Sequence, residues 1–532
     1  MMKSNKKNEV PALDNNKSPI KIPTRRTLLK ALVGIPVLGI FGLEVMRNIE
    51  ATKNKKIQTL KDLGLGDFKK RDIDKHALDT NTDLLRIGII GFGNRARDLA
   101  NALGFMHPDD VEMKRKDNTL SDWLNQEYLN VAVVGICDVF DLHAENGLAT
   151  ALNIVRPGGD KAIRLPVKRY RRYQEMLNDK NIDAVVIATP DHHHAPFTIA
   201  AIKAGKHVYC EKSVAHSEKE LMEVYDVVKK SNLVYQLGHQ ITQNRVFQQA
   251  KEVISKGILG KITLVETTTN RNTAEGAWIR HLDKNGNVKP GNEQSIDWQQ
   301  WLGTSPYVPF SIDRFYNWTK WFDYDIGLIG QLFTHEYDAV NQLLRIGIPY
   351  AVVSSGGIYY WKDNREIPDV LHCIFEYPDR DLTLTYSATL ANSRERGRVF
   401  MGHDASMELG GSLKITVVND STRYRKQIEK GIIDASTPMI SINPNSGQVD
   451  AVTSATAKYY SSRGLTTTNI NGRQIDVTHL HIKEWIDCIR NGGTPSDNID
   501  RAFEEGVTCL MAHKSYIEKR RVEWDPIKRK II

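Results

Sequence analysis

Cysteine is scarce in this chain. The 532 residues hold five, Cys137, Cys210, Cys373, Cys488 and Cys509, an odd number without a C-x-x-C pair. That excludes a disulfide framework and a zinc ribbon, and several lie in apolar, strand-like runs, so they read as buried thiols. Long apolar runs are also missing. The longest at the amino terminus, Ala31 to Leu43 (ALVGIPVLGIFGL), contains Gly and Pro and falls short of the roughly 20 residues that a bilayer-spanning helix needs. Charge of one sign is absent from the body of the protein. Residues 1–56 hold 12 Lys and Arg against 4 Asp and Glu, and beyond them 60 basic residues balance 60 acidic ones. The formal charge of +8 therefore belongs to one terminal segment, and no basic face or module signature points to nucleic acid. Internal repeats and low-complexity tracts are absent. The adjacent His192, His193 and His194 invite a metal reading, but neighbouring residues in a turn point in different directions. No second cluster of His, Cys or Asp has ligand spacing, so the expected metal count is none.

The basic terminal segment has its own pattern. A polar Lys- and Asn-rich stretch leads into TRRTLLK (Thr24 to Lys30) and then the apolar run, the layout of a twin-arginine export signal. The expected location is periplasmic, with the chain exported already folded. An uncleaved membrane anchor is the alternative, since no small-x-small cleavage site follows. A periplasmic address permits disulfides, although the cysteine spacing demands none.

Residues 1–50 are therefore assigned to the signal or anchor and residues 51–83 to a polar arm. From Leu84 the pattern alternates apolar strands (LRIGII, VAVVGIC, AVVIAT, HVYC) with helical periods. Continuous β-branched runs between helices imply a parallel sheet covered on both faces. The fold class is α/β: a Rossmann-type doubly wound domain over residues 84–212, closed by the strand His207 to Cys210. Residues 213–532 follow as an α+β domain with a large, mainly antiparallel sheet, because KITLVETTT, AVVSSGGIYYW, DVLHCIFEY, LTLTYSATL and LKITVVND succeed one another without intervening helices. Two amphipathic helices near the end are expected to pack back on the first domain.

The first strand runs into GFGNRA. Gly91, Gly93 and Ala96 stand at the positions of a G-x-G-x-x-G/A turn, with Phe92, Asn94 and Arg95 completing it. Such a turn brings backbone and a helix N-terminus against a pyrophosphate. The next strand ends in Asp138, whose carboxylate can accept from ribose hydroxyls and repel a 2′-phosphate, favouring NAD over NADP. His107 to Asn130 reads as an insertion that lengthens the usual spacing. The plainer reading of Asp138, a strand-end cap, stays open.

The run ATPDHHHAPFTIAAIKAGKHVYCEKS (Ala188 to Ser213) resembles the signature of the glucose-fructose oxidoreductase, inositol dehydrogenase and rhizopine-catabolism family, Gfo/Idh/MocA. The resemblance covers most of residues 84–517. It implies that Thr189, Pro190, Asp191, His194, Glu211, Lys212 and Gln240 lie along the cofactor, and that Lys212 is also catalytic, hydrogen-bonding the substrate oxygen as alkoxide character develops. The family's Glu-Lys-Pro is here Glu211-Lys212-Ser213. DIGLIGQLFTHEYDAVNQLL resembles the family's helix with Asp-x-x-x-His: His335 takes the histidine's place as general acid or base, and Gln331 stands where the acid would be. Residues four apart share a helical face, so Gln331 and His335 are expected to point into one cleft. A buried, non-catalytic His335 is the alternative.

The aromatic stretch Trp298 to Asp325 offers Trp298, Trp301, Trp318, Trp321 and Tyr324 with Arg314. Arg314 and Trp318, with Gln331 and His335, are the expected substrate contacts, and core packing is the other use of those rings. The implied activity is hydride transfer between a carbohydrate-like hydroxyl and a tightly bound NAD in a homo-oligomer, dimer or tetramer. Export adds a constraint, because a cofactor reduced outside the cytoplasm has no pool to exchange with. Either a second substrate takes the hydride, or a sugar is transiently oxidised, eliminated and re-reduced, as in NAD-dependent glycoside hydrolases. A non-catalytic NAD-bearing protein is a third reading, suggested by Gln331 and Ser213.

Overall fold

The computed structural model describes residues 84–274, 291–394, 396–442, 467–470 and 473–532. The twin-arginine segment and the arm at residues 51–83 lie outside them. Among the described residues no helix is long and apolar enough to cross a membrane.

The first sheet has six parallel strands in the order β3-β2-β1-β4-β5-β6: β1 Leu85–Ile90, β2 Val131–Cys137, β3 Lys168–Tyr170, β4 Ala184–Ile187, β5 His207–Cys210 and β6 Tyr235–Leu237. This is the order of doubly wound dinucleotide domains, with its switch point between β1 and β4. All seven residues of β2 and all four of β4 are buried, as strands covered by helices on both faces must be. The sheet corrects one boundary. β6 pairs in parallel with β5 beyond residue 212, so His207 to Cys210 does not close the series. A three-residue strand is too short to show a period. The expected insertion forms the helices Pro108–Lys116 and Leu120–Leu124, whose Val111 and Trp123 pack with Met106 in a small cluster.

The second sheet has ten strands, with β14 Ile440–Ile442 at one end and β15 Val522–Asp525 followed by β16 Lys530–Ile531 at the other. Its centre is formed by β7 Ile262–Asn270, β8 Ala351–Gly357, β9 Val370–Tyr377 and β10 Leu382–Thr389, flanked by β11 Arg398–Gly402, β12 Ala405–Leu409 and β13 Leu413–Val417. Pairing is antiparallel except between β7 and β10. β10 alternates strictly between buried and half-buried residues, the period of a strand with one packed face.

Five helices position the chemistry: α1 Asn94–Leu103, α2 His194–Lys203, α3 Thr334–Leu344, α4 Val477–Asn491 and α5 Ile499–Glu518. From α4, Ile482, Trp485 and Ile486 are fully buried in one cluster with Ile87, Val133 and Tyr209. A segment from the far end of the chain thus completes the core of the first domain, as its amphipathic pattern implies. All five cysteines are free thiols, four buried and Cys488 half-buried. Burial pushes the Cys137 thiol up to about 12.

Candidate active site

A cavity of about 470 Å³ opens at the switch point, where the ends of β1 and β4 diverge. Gly91, Gly93, Asn94 and Arg95 form one wall and Asp138, Thr189 and Pro190 another, with Trp318 reaching in from the second domain. Gly91 has φ +80°, and a Cβ there would stand 2.9 Å from the Ala188 carbonyl oxygen, so the turn requires glycine. A Cβ on Gly93 would meet nothing within 4 Å, which leaves the backbone open to a ligand. Gly93 caps α1 without a side chain, so no cap acceptor competes for the N–H groups of the first turn. The Thr189 hydroxyl is buried with no hydrogen-bond partner among the described residues. An open glycine turn, an uncapped helix start and an unpartnered hydroxyl fit a dinucleotide.

Asp138 takes the strand-end role and borders the cavity as well. Its carboxylate accepts from the Phe92 N–H at 2.5 Å and the Phe140 N–H at 2.8 Å, so it caps the strand end and fastens the glycine turn. It also lines the cavity, and an ionised carboxylate has about four acceptor sites, leaving capacity for ribose hydroxyls. The Phe92 side chain itself is buried in the core. His143 Nδ1 stands 3.7 Å from Asp138, a neighbour the sequence reading did not single out.

Beyond Pro190 the polar groups turn inward. His194 Nε2 lies 2.9 Å from the Thr189 carbonyl oxygen and its Nδ1 lies 2.7 Å from that of Ser213, so one ring joins the ends of β4 and β5. Ser213 Oγ donates to Asp191 at 2.9 Å, and so does Gln331 Nε2 at 3.1 Å. Lys212 Nζ donates to the carbonyl oxygen of Gln331 at 3.2 Å. Glu211 takes Arg95 at 2.7 Å, and this ion pair keeps the guanidinium charged against the cost of its burial. The Lys212–Ser213 peptide is cis. Gln240 is buried in a short 3₁₀ turn, Gln240–Gln243.

Gln331 and His335 meet different partners. Ile329–Phe333 is a π-helical turn that runs directly into α3. Gln331 reaches Asp191, while His335 Nδ1 meets His239 Nδ1 at 3.1 Å. Behind them, His239 Nε2 stands 2.7 Å from Glu505 of α5. Burial first, then the charges of His239 and Lys212, hold His335 well below the usual imidazole value, so its ring is neutral. Burial works against a charged His239, but Glu505 and Asp338 outweigh it and push that ring up to about 9.

No motif or spacing in the sequence singles out His239, Glu505 or Asp325. His239 sits inside the quoted QLGHQ segment, but Glu505 is one of many acids in an amphipathic helix. Asp325 is fully buried, and burial, with Asp191 beside it, pushes its carboxyl well above the usual carboxylate range. The triple histidine is spent on structure. His192 and His193 both donate through Nε2 to the Trp301 carbonyl oxygen, at 2.9 and 2.7 Å. Trp301, Trp321 and Tyr324 are buried in one aromatic cluster, and of the three Trp301 also lines the cavity. Arg314 pairs with Asp323 and donates to the Tyr324 hydroxyl, both at 3.1 Å, outside the cavity wall that Trp318 joins.

A glycine turn at the switch point of a doubly wound sheet, faced by an acid at the end of the adjacent strand, defines the NAD-binding Rossmann class. Residues 85–239 match the GFO_IDH_MocA family model, described as an oxidoreductase family with an NAD-binding Rossmann fold. That segment is similar to the NAD-binding domain of the Gfo/Idh/MocA oxidoreductases. Levoglucosan dehydrogenase of Pseudarthrobacter phenanthrenivorans is 30% identical over 185 residues, 35% of this chain and 41% of that protein. Myo-inositol 2-dehydrogenase of Thermotoga maritima is 26% identical over 150 residues, 26% of this chain and 45% of that protein. The chain thus spans less than half the length of these curated relatives. A solved levoglucosan dehydrogenase, in complex with NADH and L-sorbose, superposes with a TM-score of 0.56 at 17% identity, covering 83% of this chain and 99% of that one. This likeness extends the shared fold through the second sheet.

Proposed function

We propose that this chain is an exported NAD-dependent oxidoreductase that moves a hydride between a hydroxyl of a sugar or sugar derivative and a retained nicotinamide cofactor. The observation that carries the reading is the single cavity lined by Gly91, Gly93, Asp138, Thr189 and Pro190, and it is supported by Lys212, whose charge helps to keep the His335 ring of the second domain neutral. The relatives named as levoglucosan and inositol dehydrogenases support a polyhydroxylated substrate.

The residues divide the work. Gly91, Gly93 and the start of α1 hold the pyrophosphate, and Asp138 takes the adenosine ribose. Thr189 and Pro190 bound the nicotinamide end, and Trp318 offers a flat apolar face to a sugar ring. Bound there, NAD supplies a two-electron hydride acceptor. Lys212 stabilises the negative charge that grows on the substrate oxygen, and His335 exchanges the hydroxyl proton. Gln331 holds Asp191 and, through it, Ser213, which fixes the backbone carrying Lys212.

The test is mass spectrometry of the purified full chain for bound dinucleotide, followed by absorbance at the reduced nicotinamide band with a panel of sugars and glycosides. Bound NAD and a rising band with at least one of them are expected. No dinucleotide and no band with any substrate would sink the proposal.

A further inference from the structure

We propose that His239 is the proton store behind His335: a buried relay, His335 to His239 to Glu505, takes up the hydroxyl proton released at the reaction centre and returns it when the reaction reverses. The inference rests on the oxidoreductase reading and adds to it two residues that the resemblance does not point to.

The geometry comes from three separate parts of the chain. His335 lies in the first turn of α3, His239 precedes the turn Gln240–Gln243, and Glu505 lies in α5. All three are buried, with 5%, 2% and 2% exposure, so bulk water does not substitute for any link. The two Nδ1 atoms stand 3.1 Å apart, and His239 Nε2 stands 2.7 Å from Glu505 Oε2. Two imidazoles meeting through nitrogen share one hydrogen between those atoms, because one must donate and the other accept. The ring tautomers are therefore linked, and each arrangement has a chemical meaning.

With His239 doubly protonated, its Nδ1–H donates to His335 Nδ1. His335 then presents Nε2–H, a donor suited to protonating a carbonyl oxygen. With His239 neutral and its hydrogen on Nε2 toward Glu505, its Nδ1 accepts from His335 Nδ1–H, and Nε2 of His335 is a bare base. Oxidation of a secondary alcohol converts the second arrangement into the first. The carbinol C–H bond breaks and its hydride pair goes to the oxidised dinucleotide. The O–H bond breaks and its proton goes to His335 Nε2. The proton on His335 Nδ1 passes to His239 Nδ1, and a carbonyl remains. No charge accumulates on His335, and the cation forms on His239 beside the Glu505 carboxylate. Reduction runs the same transfers backwards, as a cofactor that stays bound and must be recharged requires.

The charged surroundings set where the relay titrates. Glu505 from α5, Asp338 from α3 and Asp497 ahead of α5 all favour the His239 cation. His335 faces Lys212, Arg95 and Arg398 as well as His239, and all four disfavour a cation on that ring. The proton therefore rests on His239, which burial opposes but these acids push up to about 9. Oxidation needs the unprotonated store, so its rate should rise with pH through about 9, and reduction should fall over the same range.

The experiment measures single-turnover reduction of bound NAD against pH, with a sugar that gives a band, in the full chain and in H239Q, E505Q and Lys212→Ala. Imidazole ¹⁵N spectra of each, without substrate, give a readout independent of turnover. In the parent chain His239 should show two N–H groups at pH 7, and the oxidation rate its alkaline limb. H239Q should lose the limb and slow by an order of 10². E505Q should move the limb and the His239 titration to lower pH, since the removed carboxylate was raising both, and Glu505→Asp should recover part of the shift. Circular dichroism confirms that each variant is folded, and E505Q carries the test if H239Q is not. A neutral His239 at pH 7 in the parent, or an unaltered limb in folded H239Q or E505Q, overturns the relay. If Lys212→Ala abolishes reduction while H239Q does not, the relay alone falls. If neither changes the rate, the oxidoreductase site falls with it.

Discussion

Gln331 and Asp191 stand 140 residues apart in the chain and are joined by one hydrogen bond, the Gln331 amide donating to Asp191 Oδ2 at 3.1 Å. The same oxygen also accepts from the Ser213 hydroxyl. Gln331→Asp would replace the donor with a second carboxylate in a pocket that already holds buried Asp191 and Asp325. An unpaired buried acceptor costs about 1 to 3 kcal/mol. The expected outcome is a lower melting temperature and at least a tenfold loss of single-turnover rate with the native sugar. A gain in rate would instead mark Gln331 as a degenerate catalytic position.

Asp138→Ala should weaken NAD by roughly 10- to 100-fold, the range of about 1.5 to 3 kcal/mol for hydrogen bonds to a charged group, and narrow the advantage over NADP. The variant also frees the Phe92 N–H and loosens the glycine turn. Titration of the apo chain with both dinucleotides measures the effect. An unchanged preference removes Asp138 from the ribose site.

Lys212→Ala and His335→Ala should each lower cofactor reduction by an order of 10² or more and leave NAD binding largely intact, because neither side chain lines the dinucleotide cavity. Absorbance at the nicotinamide band during one turnover is the decisive record. Both variants reducing NAD at the parent rate would remove the site assignment.

For export, the double variant Arg25→Lys, Arg26→Lys should trap the chain in the cytoplasm. Cell fractionation reads the outcome, and normal export of that variant refutes the twin-arginine reading.

The Rossmann strands were legible because β-branched runs such as Leu85–Ile90 and Ala184–Ile187 are buried on both faces and need no partner to be recognised. β6 was not, being three residues long, and neither was the parallel pairing of β7 with β10, since register is a tertiary choice. The cavity wall from Gly91 to Pro190 could be read because backbone and strand ends form it. The inner polar cluster could not. The π turn at Ile329–Phe333 leaves no pattern that separates it from an α-helix, and the partners of Gln331 and His335, Asp191 and His239, lie far from them along the chain. Glu505 meets His239 only because α5 packs behind it, a proximity that spacing along the chain does not encode.

The burial of Trp485 against Ile87, Val133 and Tyr209 has a consequence for the order of events in the cell. The nucleotide-binding domain ends its own strands at Leu237, yet its core stays unfilled until α4 has been made. At about 5 to 20 residues per second, the ribosome needs roughly 12 to 50 s to travel from one to the other. Throughout that interval the amino terminus is already outside the ribosome while the cofactor's cradle lacks its backing. On the export reading proposed above, that terminus must wait until residues 477–491 have been made.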